Sequence, residues 1–96
     1  MARALVALSC ATAALAGCGH PASVAECDEI LELSALIVLR SENVTDPEVV
    51  RERTQSFREL RGPELLKGCV GKRITDRAMR CMRAAASAEE FDGCLD

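Results

Sequence analysis

The sequence contains no tryptophan, no tyrosine and only two phenylalanines, Phe57 and Phe91. Aromatic side chains supply much of the buried apolar surface in many small domains, so this chain cannot build an aromatic core. A chain of 96 residues or fewer buries only about 60% of its unfolded surface. Another source of stability is therefore expected, and covalent crosslinks are the usual one in domains of this size.

Histidine is nearly absent, because His20 is the only one in the chain. Catalysis by a serine or cysteine nucleophile needs an oriented base, and general acid catalysis needs a carboxylate held in a cleft. His20 lies in a segment predicted to be a solvated tether, and the carboxylates cluster in predicted first turns of helices, such as Glu26 and Glu89. We therefore expect a protein that is not an enzyme, with no catalytic residues and no cofactor.

Paired metal ligands are also missing from the cysteine pattern. Structural zinc sites and reactive dithiols usually contain a C-x-x-C pair, and none occurs here. No pair of histidines lies near the cysteines. The spacing predicts no metal site.

No apolar run is long enough to cross a bilayer, which takes about 20 residues. The apolar run that follows Arg3 extends from Ala4 to Ala16, and the chain becomes polar at His20. One basic residue followed by a run of about 13 apolar residues is typical of a secretory signal. The start of the chain is thus predicted to be a signal peptide.

Two cleavage sites follow this run. Ala14-Leu15-Ala16 is an A-x-A site for an ordinary signal peptidase, which would leave Gly17 first. Leu15-Ala16-Gly17-Cys18 closely resembles the lipobox of bacterial lipoproteins. This resemblance covers residues 1–18 only and identifies a processing class. It implies removal of residues 1–17, a diacylglyceryl thioether on Cys18 and acylation of its new amino group.

The number of cysteines distinguishes between the two cleavage sites. Cys10 is lost with the signal peptide under either interpretation. Ordinary cleavage leaves an odd set, namely Cys18, Cys27, Cys69, Cys81 and Cys94. Lipidation of Cys18 leaves four cysteines that can pair completely in an oxidising compartment. We therefore predict that Cys18 is lipidated.

The lipoprotein resemblance also implies a location and a domain organisation. In that family an aspartate after the cysteine favours retention in the inner membrane, and this chain has Gly19 there. The resemblance implies a lipid-anchored protein of the cell envelope, on the outer membrane and facing the periplasm where two membranes are present. The predicted organisation is a signal peptide over 1–17, a lipidated tether over 18–22 and a helical disulfide domain over 23–96.

Helix caps and apolar periodicity predict an all-α fold, a small antiparallel bundle of about four helical segments. The predicted caps are a capping box at Ser23-Val24-Ala25-Glu26, Thr45 or Asp46 before Pro47, Thr75 with Ile74 stapled on Met79, and a capping box at Ser87-Ala88-Glu89-Glu90.

Two stretches inside these helices are unusual. Gly62-Pro63 is expected to break or kink the second helix, with a short continuation before Gly71. Residues 35–39 are apolar throughout, so they are expected to be the most buried part of the first helix, although a buried strand is the alternative.

Four cysteines allow several pairings, and loop entropy does not choose among them. Cys81 lies six residues before Ser87 and Cys94 seven after it, so a helical hairpin turning at Ser87 would place them side by side. We favour Cys27–Cys69 with Cys81–Cys94. The alternative is Cys27–Cys94 with Cys69–Cys81.

The charges exclude some partners. After removal of the signal peptide, 11 basic and 15 acidic residues remain, interspersed along the chain. We expect neither a nucleic-acid-binding face nor a polybasic membrane patch.

Two functions remain after these exclusions. The favoured one is a lipid-anchored accessory or inhibitor module that binds an envelope protein, with the polar Pro47–Arg61 helix as the candidate face. The alternative is a module that binds a small hydrophobic ligand in a cavity lined by Leu36, Ile37, Met79 and Met82. These two methionines are more simply interpreted as adaptable core residues.

Overall fold

The structure is a computed structural model that describes residues 19–95, of which 73% are helical. Its elements are β1 (His20–Pro21), α1 (Val24–Ser41), α2 (Pro47–Cys69), β2 (Arg73–Ile74), α3 (Asp76–Ala84) and α4 (Ala88–Gly93). The predicted all-α class with four helical segments and two disulfides is confirmed. A pair of two-residue strands is an addition that the sequence pattern did not predict.

Helix α1 begins at the predicted capping box. The Ser23 hydroxyl accepts a hydrogen bond from the Glu26 amide at 3.1 Å, and the Glu26 carboxylate accepts one from the Ser23 amide at 3.0 Å. These two bonds satisfy amides that the first turn of a helix leaves without a partner. The local sequence therefore determines where α1 starts.

The buried side of α1 is a row of residues four apart, Cys27, Leu31, Ala35 and Leu39. Such a row lies along one face of a helix. The expectation that residues 35–39 form the most buried stretch is wrong in part, because Leu36 is only half-buried and Val38 is 47% exposed. Neighbouring elements cover only part of the circumference of α1, and Val38 lies on an uncovered part. The alternative of a buried strand is excluded.

Helix α2 continues from Pro47 to Cys69 with Pro63 inside it, so of the break or kink expected at Gly62-Pro63 the break is absent. Gly62 is the buried residue of α2, and a Cβ placed there would lie 3.5 Å from the Leu31 side chain. Packing of α2 against α1 on both sides of this point outweighs the local cost of proline. Most of the other α2 side chains are exposed, as the sequence predicts.

The two short helices begin at the predicted residues. The Thr75 hydroxyl accepts from the Ala78 amide at 3.0 Å, and the Ser87 hydroxyl accepts from the Glu90 amide at 3.2 Å. The second capping box is incomplete, because the Glu90 carboxylate accepts from the Ala86 amide instead of the Ser87 amide. The main core lies between α1, α3 and α4, and its buried members are Ala22, Cys27, Ile37, Ile74, Met79, Met82 and Phe91.

Candidate functional site: the segment after Cys18

Cys18 lies outside the described residues, and the first described residue is its neighbour Gly19. Gly19 has a φ of +71°, in the left-handed region that favours glycine. A Cβ at this position would collide with the Ile74 carbonyl group and lie 3.1 Å from Cγ2 of Thr75. Glycine therefore allows the chain to approach the start of α3 this closely.

The residues that follow Gly19 are part of the folded domain. His20 pairs with Ile74 and Pro21 with Arg73 in an antiparallel bridge. The Ala22 amide donates to the Lys72 carbonyl at 2.7 Å, and Ala22 is buried. The interpretation of residues 19–22 as a tether is wrong, because these residues pair with Lys72, Arg73 and Ile74. Those partners lie some fifty residues later in the chain, so local composition does not reveal them.

The side chain of His20 is 41% exposed, as expected for a solvated residue, but it has side-chain partners that the sequence does not predict. Its Nε2 lies 2.8 Å from Oε2 of Glu26, and its Nδ1 lies 4.0 Å from Oδ1 of Asp76. The pKa of Glu26 is lowered, chiefly by the hydrogen bond from the Ser23 backbone amide and then by the bond to His20. The side chain of Asp76 is 82% exposed, so these three residues do not form an enclosed catalytic cluster.

The four cysteines of the described chain form the favoured pairs. Cys27 and Cys69 have a Cα–Cα distance of 5.9 Å and connect α1 to the end of α2. Cys81 and Cys94 have a Cα–Cα distance of 5.6 Å and connect α3 to the residue after α4. No free thiol is left between Gly19 and Leu95.

An ion pair connects α3 to α1. Arg83 donates to both carboxylate oxygens of Glu29, with Nε–Oε2 and Nη2–Oε1 distances of 2.6 and 2.9 Å. This bidentate geometry is the strong form of an arginine–carboxylate contact. The hydrogen bond from Arg83 lowers the pKa of Glu29, and the same bond raises the pKa of Arg83. The pair holds the short helix α3 against α1.

The four residues expected to line a hydrophobic cavity lie in two different parts of the described chain. Ile37, Met79 and Met82 are buried together in the main core, and Met82 is completely inaccessible. Leu36 instead lines a groove of about 320 Å³ between α1 and α2. The groove is bordered by polar side chains such as Thr54 and Arg58. The structure therefore agrees with the interpretation of the methionines as core residues.

The candidate Pro47–Arg61 face lies on the outer side of α2. Arg53 pairs with Glu42 at 3.0 Å, whereas Arg58 lies on the inner side, where it lines the groove and pairs with Glu32 at 3.5 Å. Leu60 is 81% exposed, the largest exposure among the large apolar residues of the described chain. Leu60 and the exposed charges next to it on the helix, Arg61 and Glu64, are available for contact with a partner.

Between residues 19 and 95, no helix is sufficiently long and apolar to cross a membrane. The same residues contain no group of three or more potential metal ligands. Comparison of the chain with protein-family models, curated proteins and solved structures finds no match. The function must therefore be argued from the chemistry of the residues.

Proposed function

We propose that the protein is anchored in the cell envelope by lipid on Cys18 and acts by binding another protein, without catalysing a reaction. One observation carries the anchor. Disulfides occupy Cys27, Cys69, Cys81 and Cys94, so Cys18 is the one cysteine beyond the predicted signal peptide that remains for lipidation. It also directly follows Leu15-Ala16-Gly17, the residues that complete the lipobox-like sequence.

The anchor determines what partners the domain can reach. Each buried methylene of an acyl chain contributes about 0.8 kcal/mol, so two or three long chains hold a protein firmly on a membrane. Because the folded domain begins at Gly19, it stays next to the bilayer. A protein embedded in the same membrane, or lying on it, fits this geometry.

The outer face of α2 is the proposed contact surface for that partner. Leu60 offers an apolar anchor, and the exposed Arg61 and Glu64 next to it on α2 offer charges for pairing at a rim. The burial of Ile37, Met79 and Met82 together in the main core of the described chain supports this function over the hydrophobic-ligand alternative.

The anchor is tested by intact-mass analysis of protein from the membrane fraction. We expect a chain that begins at Cys18 and carries added diacylglyceryl and acyl mass. Cys18→Ala should be misprocessed or released from the membrane. A mature chain that begins at Gly17 with an unmodified cysteine would overturn the proposal.

The contact surface is tested with a photo-crosslinking amino acid at Leu60 in intact cells. The matched control carries the same group at Leu95, which is also exposed but lies after α4. We expect one defined protein adduct from position 60, and its loss in the Cys18→Ala background. A co-purifying lipid or small molecule, with no protein adduct at position 60, would favour the ligand-binding alternative.

A further inference from the structure

The segment from Lys72 to Arg83 has a charge opposite to that of the whole chain. It contains five of the 12 basic residues and one acidic residue, Asp76, whereas the formal net charge of the chain is −3. The sequence pattern of the whole chain predicts interspersed charge and no polybasic patch. A count over the whole chain conceals the excess of basic residues in this segment.

The fold places most of these cations on one exposed surface. Met79 and Met82 form the buried side of α3, and Arg77 and Arg80, three residues apart, project from its exposed side. Lys72 and Arg73 are exposed immediately before the helix. We call Lys72, Arg73, Arg77 and Arg80 the basic surface. Arg83 is excluded, because it is paired with Glu29.

Carboxylates of the described chain leave the basic surface largely unneutralised. None lies within 4 Å of the charged groups of Lys72, Arg77 or Arg80 among residues 19–95. Asp76 lies beside the surface, with its Oδ1 at 4.0 Å from Nδ1 of His20. Glu89, Glu90 and Asp92 are exposed on the adjoining α4. Together with Asp76 they equal the four cations in number, so the positive charge is local and belongs to the exposed side of α3 from which Arg77 and Arg80 project.

The basic surface begins where the lipid would be attached. The Arg73 guanidinium donates to the Gly19 carbonyl at 3.2 Å, and the Lys72 carbonyl accepts from the Ala22 amide. Gly19 is the residue after Cys18. An anchor on Cys18 therefore brings these side chains to the height of the lipid headgroups without an intervening spacer.

We propose that the basic surface lies on the headgroups of a leaflet that contains anionic phospholipid, and that this contact fixes the orientation of the domain on the membrane. The proposal rests on the lipid anchor at Cys18. Arginine binds phosphate oxygens with a geometry that fits its planar group. The remainder of the chain is acidic, so repulsion from the same leaflet turns it outward.

The chain has no tryptophan and no tyrosine, so the fluorescence of a single introduced tryptophan reports on one position only. Ala84→Trp places it on the exposed side of α3, four residues after Arg80. Leu60→Trp places the control reporter on α2. The chain from residue 18 retains every residue of the described fold. Its Cys18 thiol is coupled to a maleimide-bearing phospholipid in vesicles of phosphatidylcholine, with or without phosphatidylglycerol.

The readout is quenching of the tryptophan by nitroxide-labelled lipid headgroups. We expect quenching at position 84 in vesicles with phosphatidylglycerol, much less in pure phosphatidylcholine, and little at position 60 in either. Arg77→Gln with Arg80→Gln should lower the docking constant about thirtyfold, or about fivefold for each charge. The matched control, Arg61→Gln with Lys67→Gln, removes the same charge from α2 and should leave quenching unchanged.

Three results would overturn the proposal. The first is equal quenching at position 84 in both lipid mixtures. The second is an equal loss of quenching in the two double variants, and the third is no quenching at position 84 in any vesicle. Capture of an acidic protein that depends on Arg77 and Arg80, without quenching by lipid, would assign the surface to a protein partner instead. Cys18 is coupled to the phospholipid chemically, so this test does not depend on natural lipidation. If Cys18 is not lipidated in cells, the intact-mass analysis described above detects it separately.

Discussion

Gly19 lies against the carbonyl group of Ile74 so closely that no side chain fits between them. The contact joins the first described residue to the beginning of α3. It explains why the segment after Cys18 is docked rather than extended into solvent. It also holds the residue that follows Cys18 against a structured part of the domain.

Gly19→Ala should undock β1 from β2. The left-handed conformation costs a residue with a Cβ about 1–2 kcal/mol, and the collision with Ile74 adds to this cost. We expect faster hydrogen exchange of the Ala22 and Gly71 amides, which this segment's pairing protects. Gly68→Ala is the matched control, because no atom lies within 4 Å of the added methyl group. Unchanged exchange in Gly19→Ala would show that the contact does not hold the segment.

The two disulfides should contribute unequally to stability. Cys27–Cys69 spans 42 residues and Cys81–Cys94 spans 13, so loop entropy predicts about 4 and 3 kcal/mol respectively. Replacing each pair by alanine and measuring urea unfolding tests the order. Cys27 is also buried in the core, which increases the expected difference. A larger loss from the Cys81–Cys94 pair would contradict the prediction, and a Cys69–Cys81 peptide in a non-reducing digest would refute the pairing itself.

Pro63→Ala should stabilise the protein. Proline inside a helix lacks an amide to donate to the carbonyl four residues earlier, that of Glu59, and costs up to about 3 kcal/mol relative to alanine. We expect a higher urea midpoint with an unchanged slope. Pro47→Ala is the control, since Pro47 occupies the first turn of α2, where no amide is required. Equal effects of the two substitutions would indicate that α2 is interrupted at Pro63.

Stability should fall in acid through Glu26 and Glu29. Their pKa values are lowered in the folded protein, so each carboxylate stabilises the fold above its unfolded pKa, near 4.5. This contribution is lost as the pH falls from about 4.5 through the lower folded pKa. Glu29→Gln should flatten the dependence of unfolding free energy on pH below 5.

Arg83→Gln is the companion variant for this pH prediction, because Arg83 is the main cause of the lowered pKa of Glu29. It should flatten the same part of the profile, and the double variant should add little to either single one. Additive effects of the two substitutions would show that the residues act independently, contrary to their bidentate hydrogen bonds.

The helix starts could be predicted from the sequence because a cap is a local interaction. Ser23, Asp46, Thr75 and Ser87 each accept a hydrogen bond from an amide two or three residues later. The Cys81–Cys94 disulfide could also be predicted from the sequence, since both cysteines lie nearly equally far from one turn. In both cases, the information is contained within about fifteen residues of chain.

Only the tertiary structure decided the course of α2 and the docking of the segment after Cys18. Gly62-Pro63 is locally a helix breaker, yet contacts with α1 keep the helix continuous. Residues 19–22 look like a flexible spacer, and their partners Lys72, Arg73 and Ile74 lie far along the chain. Local propensities amount to about 1–3 kcal/mol per residue, and packing between distant segments can exceed them. The sequence thus determined the helical elements and their caps. Long-range packing determined how the chain next to Cys18 is held and which charged side chains lie beside it.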